Sequence, residues 1–133
     1  STSSGNATDD KDVNAQIDTT IVALTTDRDG HVTSAIGDMI QPALTISADG
    51  SVAAPEKVQS KLELGDSYGM RKASSLDKEW FEHSEGYCSY LKGKTAEEIA
   101  AIPADGSDAD LAALCTISIT DLQKATLVAL DAE

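Results

Sequence analysis

At 133 residues the chain has the length of one domain that buries roughly two-thirds of its unfolded surface. Its apolar content of 41% supports a packed core, and with aromatics at 4% that core must rest on Ile, Val, Leu and Ala. The net charge of −13 repels phosphate backbones and anionic lipid headgroups, which argues against a nucleic-acid partner and against electrostatic membrane binding.

No stretch approaches the roughly 18 apolar residues of a transmembrane helix. Residues 1–16 open with Ser1-Thr2-Ser3-Ser4-Gly5-Asn6 and stay small and polar, so they read as a flexible tether. An exported lipoprotein carries such a tether behind a cleaved signal peptide, and its lipidated Cys would stand just before Ser1. A single α+β domain is expected over residues 17–133.

Thr19–Thr26 is short and β-branched, a strand. Asp27-Arg28-Asp29-Gly30 supplies a turn, and His31–Ile40 a second strand with Val32, Ser34 and Ile36 on one face. Pro42 cannot donate to a ladder and marks a break. Ala43–Ser47 resumes a strand that Asp49-Gly50 ends, so the two Asp-Gly turns predict a three-stranded antiparallel meander.

The second half reads as helix. Leu76–Leu91 puts Leu76, Trp80, Tyr87 and Leu91 on one stripe, with Lys78, Glu79, Glu82 and Glu85 facing water and Gly93 placed as the stop. Thr95-Ala96-Glu97-Glu98 is a capping box opening a short helix that Pro103 ends. Ser107–Asp110 opens another turn, Cys115–Ile119 reads as a brief strand, and Thr120-Asp121-Leu122-Gln123 as a second capping box for a last helix through about Leu130. Strands followed by helices indicate α+β: an N-terminal antiparallel meander packed against C-terminal helices.

Motifs for chemistry are sparse. Cys88 and Cys115 lie about 27 residues apart; one disulfide between them would contribute on the order of 3 kcal/mol in the chain-entropy picture, and two buried thiols are the alternative. Neither has the companion ligands of a zinc site, and the acids at Asp27–Gly30 and Asp105–Asp110 lack the closing Glu of a calcium loop, so no metal is expected. His31 and His83 are the only imidazoles, and no nucleophile elbow, phosphate loop or dinucleotide fingerprint occurs.

Leu64–Lys72 differs from the rest: two glycines flank an aromatic, with an acid and two bases, in a loop between the strands and the main helix. Asp66, Tyr68, Met70 and Arg71, with Trp80 following, are the expected ligand-binding residues. The competing reading is a crossover in which Tyr68 and Met70 pack and the glycines turn the chain.

The order of motifs carries a resemblance. Glu63-Leu64-Gly65-Asp66-Ser67-Tyr68-Gly69-Met70, then Lys78-Glu79-Trp80-Phe81-Glu82, Gly93-Lys94-Thr95, Asp108-Ala109-Asp110-Leu111 and Thr116-Ile117-Ser118-Ile119 resemble a family of extracytoplasmic lipoproteins found mainly in Gram-positive gut bacteria. The Asp18-Thr19-Thr20 strand and the Asp29-Gly30 turn match as well, so the likeness covers nearly all of residues 17–130. It implies a cell-surface domain anchored to a membrane only through an N-terminal lipid; the expected partner is a small molecule or a protein, and no cofactor is expected.

A fainter likeness is to the FMN-binding domain of membrane-associated electron-transfer proteins, through the strand, Asp-Gly turn and strand at the start and the Thr-rich segment before the last helix. It implies FMN as an alternative cofactor, with Thr116 or Thr120 as the attachment residue. Cys115-Thr116-Ile117-Ser118-Ile119-Thr120 has isoleucines where covalent flavin carriers have a Gly-Ala pair, and Thr120 also suits a helix cap.

Overall fold

A computed structural model describes residues 2–3 and 11–131; residues 1 and 4–10 of the expected tether lie outside the described residues. The strands are β1 (Thr2–Ser3), β2 (Val13–Ile17), β3 (Thr19–Thr26), β4 (Val32–Ile40), β5 (Ala43–Ile46) and β6 (Val52–Ala53). The helices are α1 (Lys61–Leu64), α2 (Trp80–Tyr90), α3 (Ala96–Ala100), α4 (Ala109–Ala112) and α5 (Thr120–Asp131). The fold is therefore α+β, antiparallel sheets in the N-terminal half and helices in the C-terminal half. Among the described residues no helix is long and apolar enough to cross a membrane.

The chain divides into two compact units, Ser1–Thr19 with Met39–Ser60 and Thr20–Asp38 with Lys61–Glu133. The first is a four-stranded antiparallel sheet in the order β1-β2-β5-β6. β2 pairs with β5 from Val13 opposite Ile46 to Gln16 opposite Ala43. Val13–Gln16, expected as the end of the tether, are thus strand. The three-stranded meander is also corrected: β5 pairs with β2 and β6, while β3 and β4 form a separate two-stranded sheet. Pro42 explains the break, since it has no amide hydrogen to extend the β4 ladder, and its carbonyl accepts instead from Ile17 N at 3.1 Å. Asp18 Oδ1 ties the same corner by accepting from Gln16 Nε2 and Gln41 Nε2 at 2.6 and 3.0 Å.

In the second unit, Asp27 Oδ1 closes the β3–β4 turn by accepting from the amides of Asp29 and His31, both at 2.9 Å. Gly30, at φ +79°, supplies the left-handed residue. The expected face of Val32, Ser34 and Ile36 does not hold: Val32 is buried, whereas Thr33, Ser34 and Ile36 are all exposed, so the inward side changes along the strand. Gly37 is then inward, and an added Cβ there would meet Leu122 Cδ2 at 2.8 Å. Its carbonyl accepts from Ser84 Oγ at 2.7 Å, joining β4 to α2.

The core lies around α2, where Tyr87 and Leu91 are fully enclosed together with Ile99 and Leu122. α2 starts four residues later than the apolar stripe suggested, because Glu79 and Glu82 form its capping box and Asp77 stands at φ +53° just before it. The Thr95 capping box forms as expected, Glu98 N to Thr95 Oγ1 at 3.4 Å and Thr95 N to Glu98 Oε2 at 2.9 Å. The second one does not. Thr120 is the first residue of α5, Gln123 N bonds Ile119 O, and the Gln123 amide reaches across to the carbonyls of Ile99 and Ile102. Cys115–Ile119 is irregular backbone, not strand.

Candidate functional site

Leu64–Lys72 folds as two short 3₁₀ turns, Gly65–Tyr68 and Arg71–Ala73, separated by Gly69 at φ +79°. The buried carboxylate of Glu79 locks them to the start of α2: Oε2 accepts from Met70 N at 2.9 Å and Oε1 from Arg71 N at 3.0 Å. Arg71 completes the brace. Its guanidinium donates to Asp77 O at 2.7 Å and pairs with Asp66 at 3.1 Å and with Glu82 at 2.7 Å. The pairs with Asp66 and Glu82 raise the Arg71 pKa further, and the Glu79 amide and Arg71 together hold Glu82 below the usual carboxylate range. Asp66, Gly69, Arg71, Lys72 and Glu79 line an open hollow of about 650 Å³.

Of the five expected ligand-binding residues, Asp66 and Arg71 line that hollow; Met70 contributes its backbone amide to the brace. Tyr68 and Trp80 face a residue that sequence reading passed over. Lys61, 7% exposed, lays its ammonium between the two rings, 4.8 Å from the Tyr68 centroid and 5.1 Å from that of Trp80. The only sequence signal was spacing: a lysine at the head of a one-turn helix, seven residues before the tyrosine of the Gly-flanked loop.

His83 is fully enclosed and touches Ser74, a contact that on its face looks like a nucleophile and its base. The hydrogen bonds assign it otherwise. Nδ1 accepts from the amide of Thr116 at 3.2 Å, so the ring proton sits on Nε2 and points at Ser74 Oγ, 2.9 Å away. An Nε2 that already carries hydrogen has no lone pair with which to take a hydroxyl proton, and a serine protease orients its imidazole the opposite way, with a carboxylate on Nδ1–H. Burial, reinforced by Lys78 and opposed by Glu82, keeps the His83 pKa below its ordinary 6.5.

Cys88 and Cys115 are both buried and both free, so the disulfide alternative gives way to two separate thiols. Cys115 Sγ faces Ile117 O, and Cys88 lies against Ser84 and Gly37. Burial raises the pKa of each, which disfavours the thiolate needed for exchange or nucleophilic attack.

Thr116 and Thr120, the flavin-attachment residues of the alternative reading, are both exposed. Thr116 borders a cleft of about 190 Å³ floored by Leu111, Cys115 and Ile119. The cleft has no charged side chain to meet a flavin phosphate and falls below the roughly 300–1,000 Å³ of drug-sized ligand sites. These residues do not fit FMN held at Thr116. At the hairpin tip, Asp27, Asp29 and His31 bring ligand atoms within 4.8 Å of one another, but Asp27 already serves the turn through two backbone amides.

Comparison with known proteins is narrow. The chain is 34% identical over 86 residues to a chlorophenol reductase of Desulfitobacterium hafniense, a match covering 53% of this chain and 26% of that protein. The chain thus spans about a quarter of the length of the curated relative it matches. No family profile matches the chain, and no solved structure does.

Proposed function

We propose that this chain is a surface-tethered, extracytoplasmic lipoprotein domain that binds a small molecule or a protein and performs no catalysis of its own. The observation that carries the reading is the braced loop: Glu79 and Arg71 spend their hydrogen bonds on fixing the walls of an open hollow of about 650 Å³, a size usual for ligand sites. Binding gains from walls that are ordered beforehand, because less freedom is lost when the ligand arrives. The fixed Nε2–H tautomer of His83 and the raised pKa values of both thiols support the non-catalytic half of the reading.

A panel of small molecules screened by amide chemical shifts tests it. A binder whose shifts concentrate on residues 61–82 is the expected result; shifts confined to other surfaces, or no binder at all, would remove the ligand seat. In the same screen Tyr68→Ala should weaken that binder while changing the melting temperature little. Fatty-acid labelling of the natural full-length protein tests the tether separately, and an unlabelled protein would end that part.

The second reading is an FMN-binding electron-transfer domain, which rests on the strand, Asp29-Gly30 turn and strand at the start and on the Thr-rich segment before the last helix. A purified protein with a flavin absorption spectrum, retained on desalting, would establish it in place of the first. A colourless protein that takes up no added FMN would dispose of it.

A further inference from the structure

We propose that Lys61, held between Tyr68 and Trp80, is the recognition point for an oxyanion, the carboxylate or phosphate group of a small molecule. The inference rests on the ligand-binding reading above and names the chemistry of what is bound. An ammonium has three hydrogens to donate. Among the described residues none finds a carboxylate or carbonyl; the two ring faces are the partners that the structure provides. Ring faces attract a cation but offer no lone pair, so they leave its hydrogen-bonding capacity open.

The acids of the braced loop are already committed. Both oxygens of Glu79 accept backbone amides, and Asp66 and Glu82 pair with Arg71. Lys61 is therefore a largely buried side chain whose ammonium is met by two ring faces, in a chain that carries 23 acidic residues. If the position served packing alone, a leucine or methionine would fill it without taking a charge out of water. Lys61 keeps 7% of its surface exposed. A ligand oxyanion arriving there would form the short, charge-assisted bond that the protein does not supply.

Trp80 is the sole tryptophan, and its ring lies 5.1 Å from the ammonium, so its emission reports directly on the site. The wild-type protein is titrated with benzoate, with inorganic phosphate and with neutral benzamide at constant ionic strength. A saturable change with benzoate or phosphate, absent with benzamide and weakened by about tenfold or more in Lys61→Met, is the expected result. Saturation by benzoate identifies a carboxylate ligand, and saturation by phosphate a phosphorylated one. If benzamide binds as well as benzoate, the oxyanion assignment falls while ligand binding stands. If none of the three is bound although the amide-shift screen finds a ligand on residues 61–82, the oxyanion assignment again falls alone; if that screen is also empty, both fall. Should Lys61→Met fail to fold, the Nζ resonance of Lys61 in the wild-type chain decides instead: it must move with the bound anion, and a fixed resonance overturns the proposal.

Discussion

The two units of this chain are stabilised in different ways. Among the described residues, every apolar side chain of the buried core belongs to the second unit, from Val32 on β4 through Tyr87 and Leu91 to Leu122 on α5. Both units show large apolar side chains to solvent, Ile17, Leu44, Val52 and Val58 in the first and Ile21, Ile36, Leu114 and Val128 in the second, but the first has strands in good register without buried apolar side chains among its described residues. A backbone ladder exchanges water hydrogen bonds for protein ones at a small net gain, so strands stabilise a unit mainly through the apolar face they cover. The sites follow the core: Lys61, Arg71, Trp80 and His83 all sit in the unit whose packing can hold a side chain in one place.

The sharpest way to break this comparison is a matched pair of truncations. Leu91→Ala empties a fully enclosed position and should lower the unfolding free energy by about 2–5 kcal/mol. Leu44→Ala removes the same atoms from a side chain 38% exposed and should cost about 1 kcal/mol or less in the same urea titration. Equal losses would mean that the first unit buries Leu44 as deeply as the second buries Leu91, and the contrast would be gone.

A pH series probes the second unit from inside. Burial is the main reason that the folded-state pKa of His83 lies below 6.5; Lys78 adds to it and Glu82 acts against it. The unfolded chain therefore binds a proton at a higher pH than the folded one. Stability contributed by the neutral ring is complete above about pH 6.5 and drains away as the pH falls from there through the folded-state value. His83→Gln should flatten that slope in urea midpoints while lowering stability at neutral pH through the lost bonds to Ser74 and Thr116. A slope unchanged by the substitution would place the acid sensitivity elsewhere.

Much of this architecture was legible in the chain. Thr19–Thr26 and the Asp-Gly turns announced themselves through β-branching and glycine, and the Thr95–Glu98 box through the side chains that a helix start requires. What failed were decisions made by distant partners. β5 left β4 for β2, and nothing local in Ala43–Ile46 names its neighbour. Gln123 abandoned its own helix start for two carboxy-terminal carbonyls of the α3 region, a choice visible only once both helices are placed. Of the site, the loop was readable from its glycines, but its fixing by Glu79 was not, because a glutamate on an acidic helix reads as solvated. Lys61 was missed for the same reason, since periodicity gives no sign that a lysine stem will run between two rings.

The smallest effect is the most informative about the first unit. Val52 sits on the end strand β6 and is 61% exposed, so Val52→Thr keeps the shape and the β-branching and changes only a methyl for a hydroxyl in contact with water. Its cost should stay within about 0.5 kcal/mol, at or below the resolution of a denaturant curve. A larger loss would show that Val52 is covered in solution. Repeating the curve over a range of protein concentrations then separates the two ways of covering it: a midpoint that rises with concentration means a second chain completes the sheet, and a constant midpoint means the cover comes from the same chain. In either case the first unit would owe its stability to apolar burial after all, which is the one result that would make the two units alike.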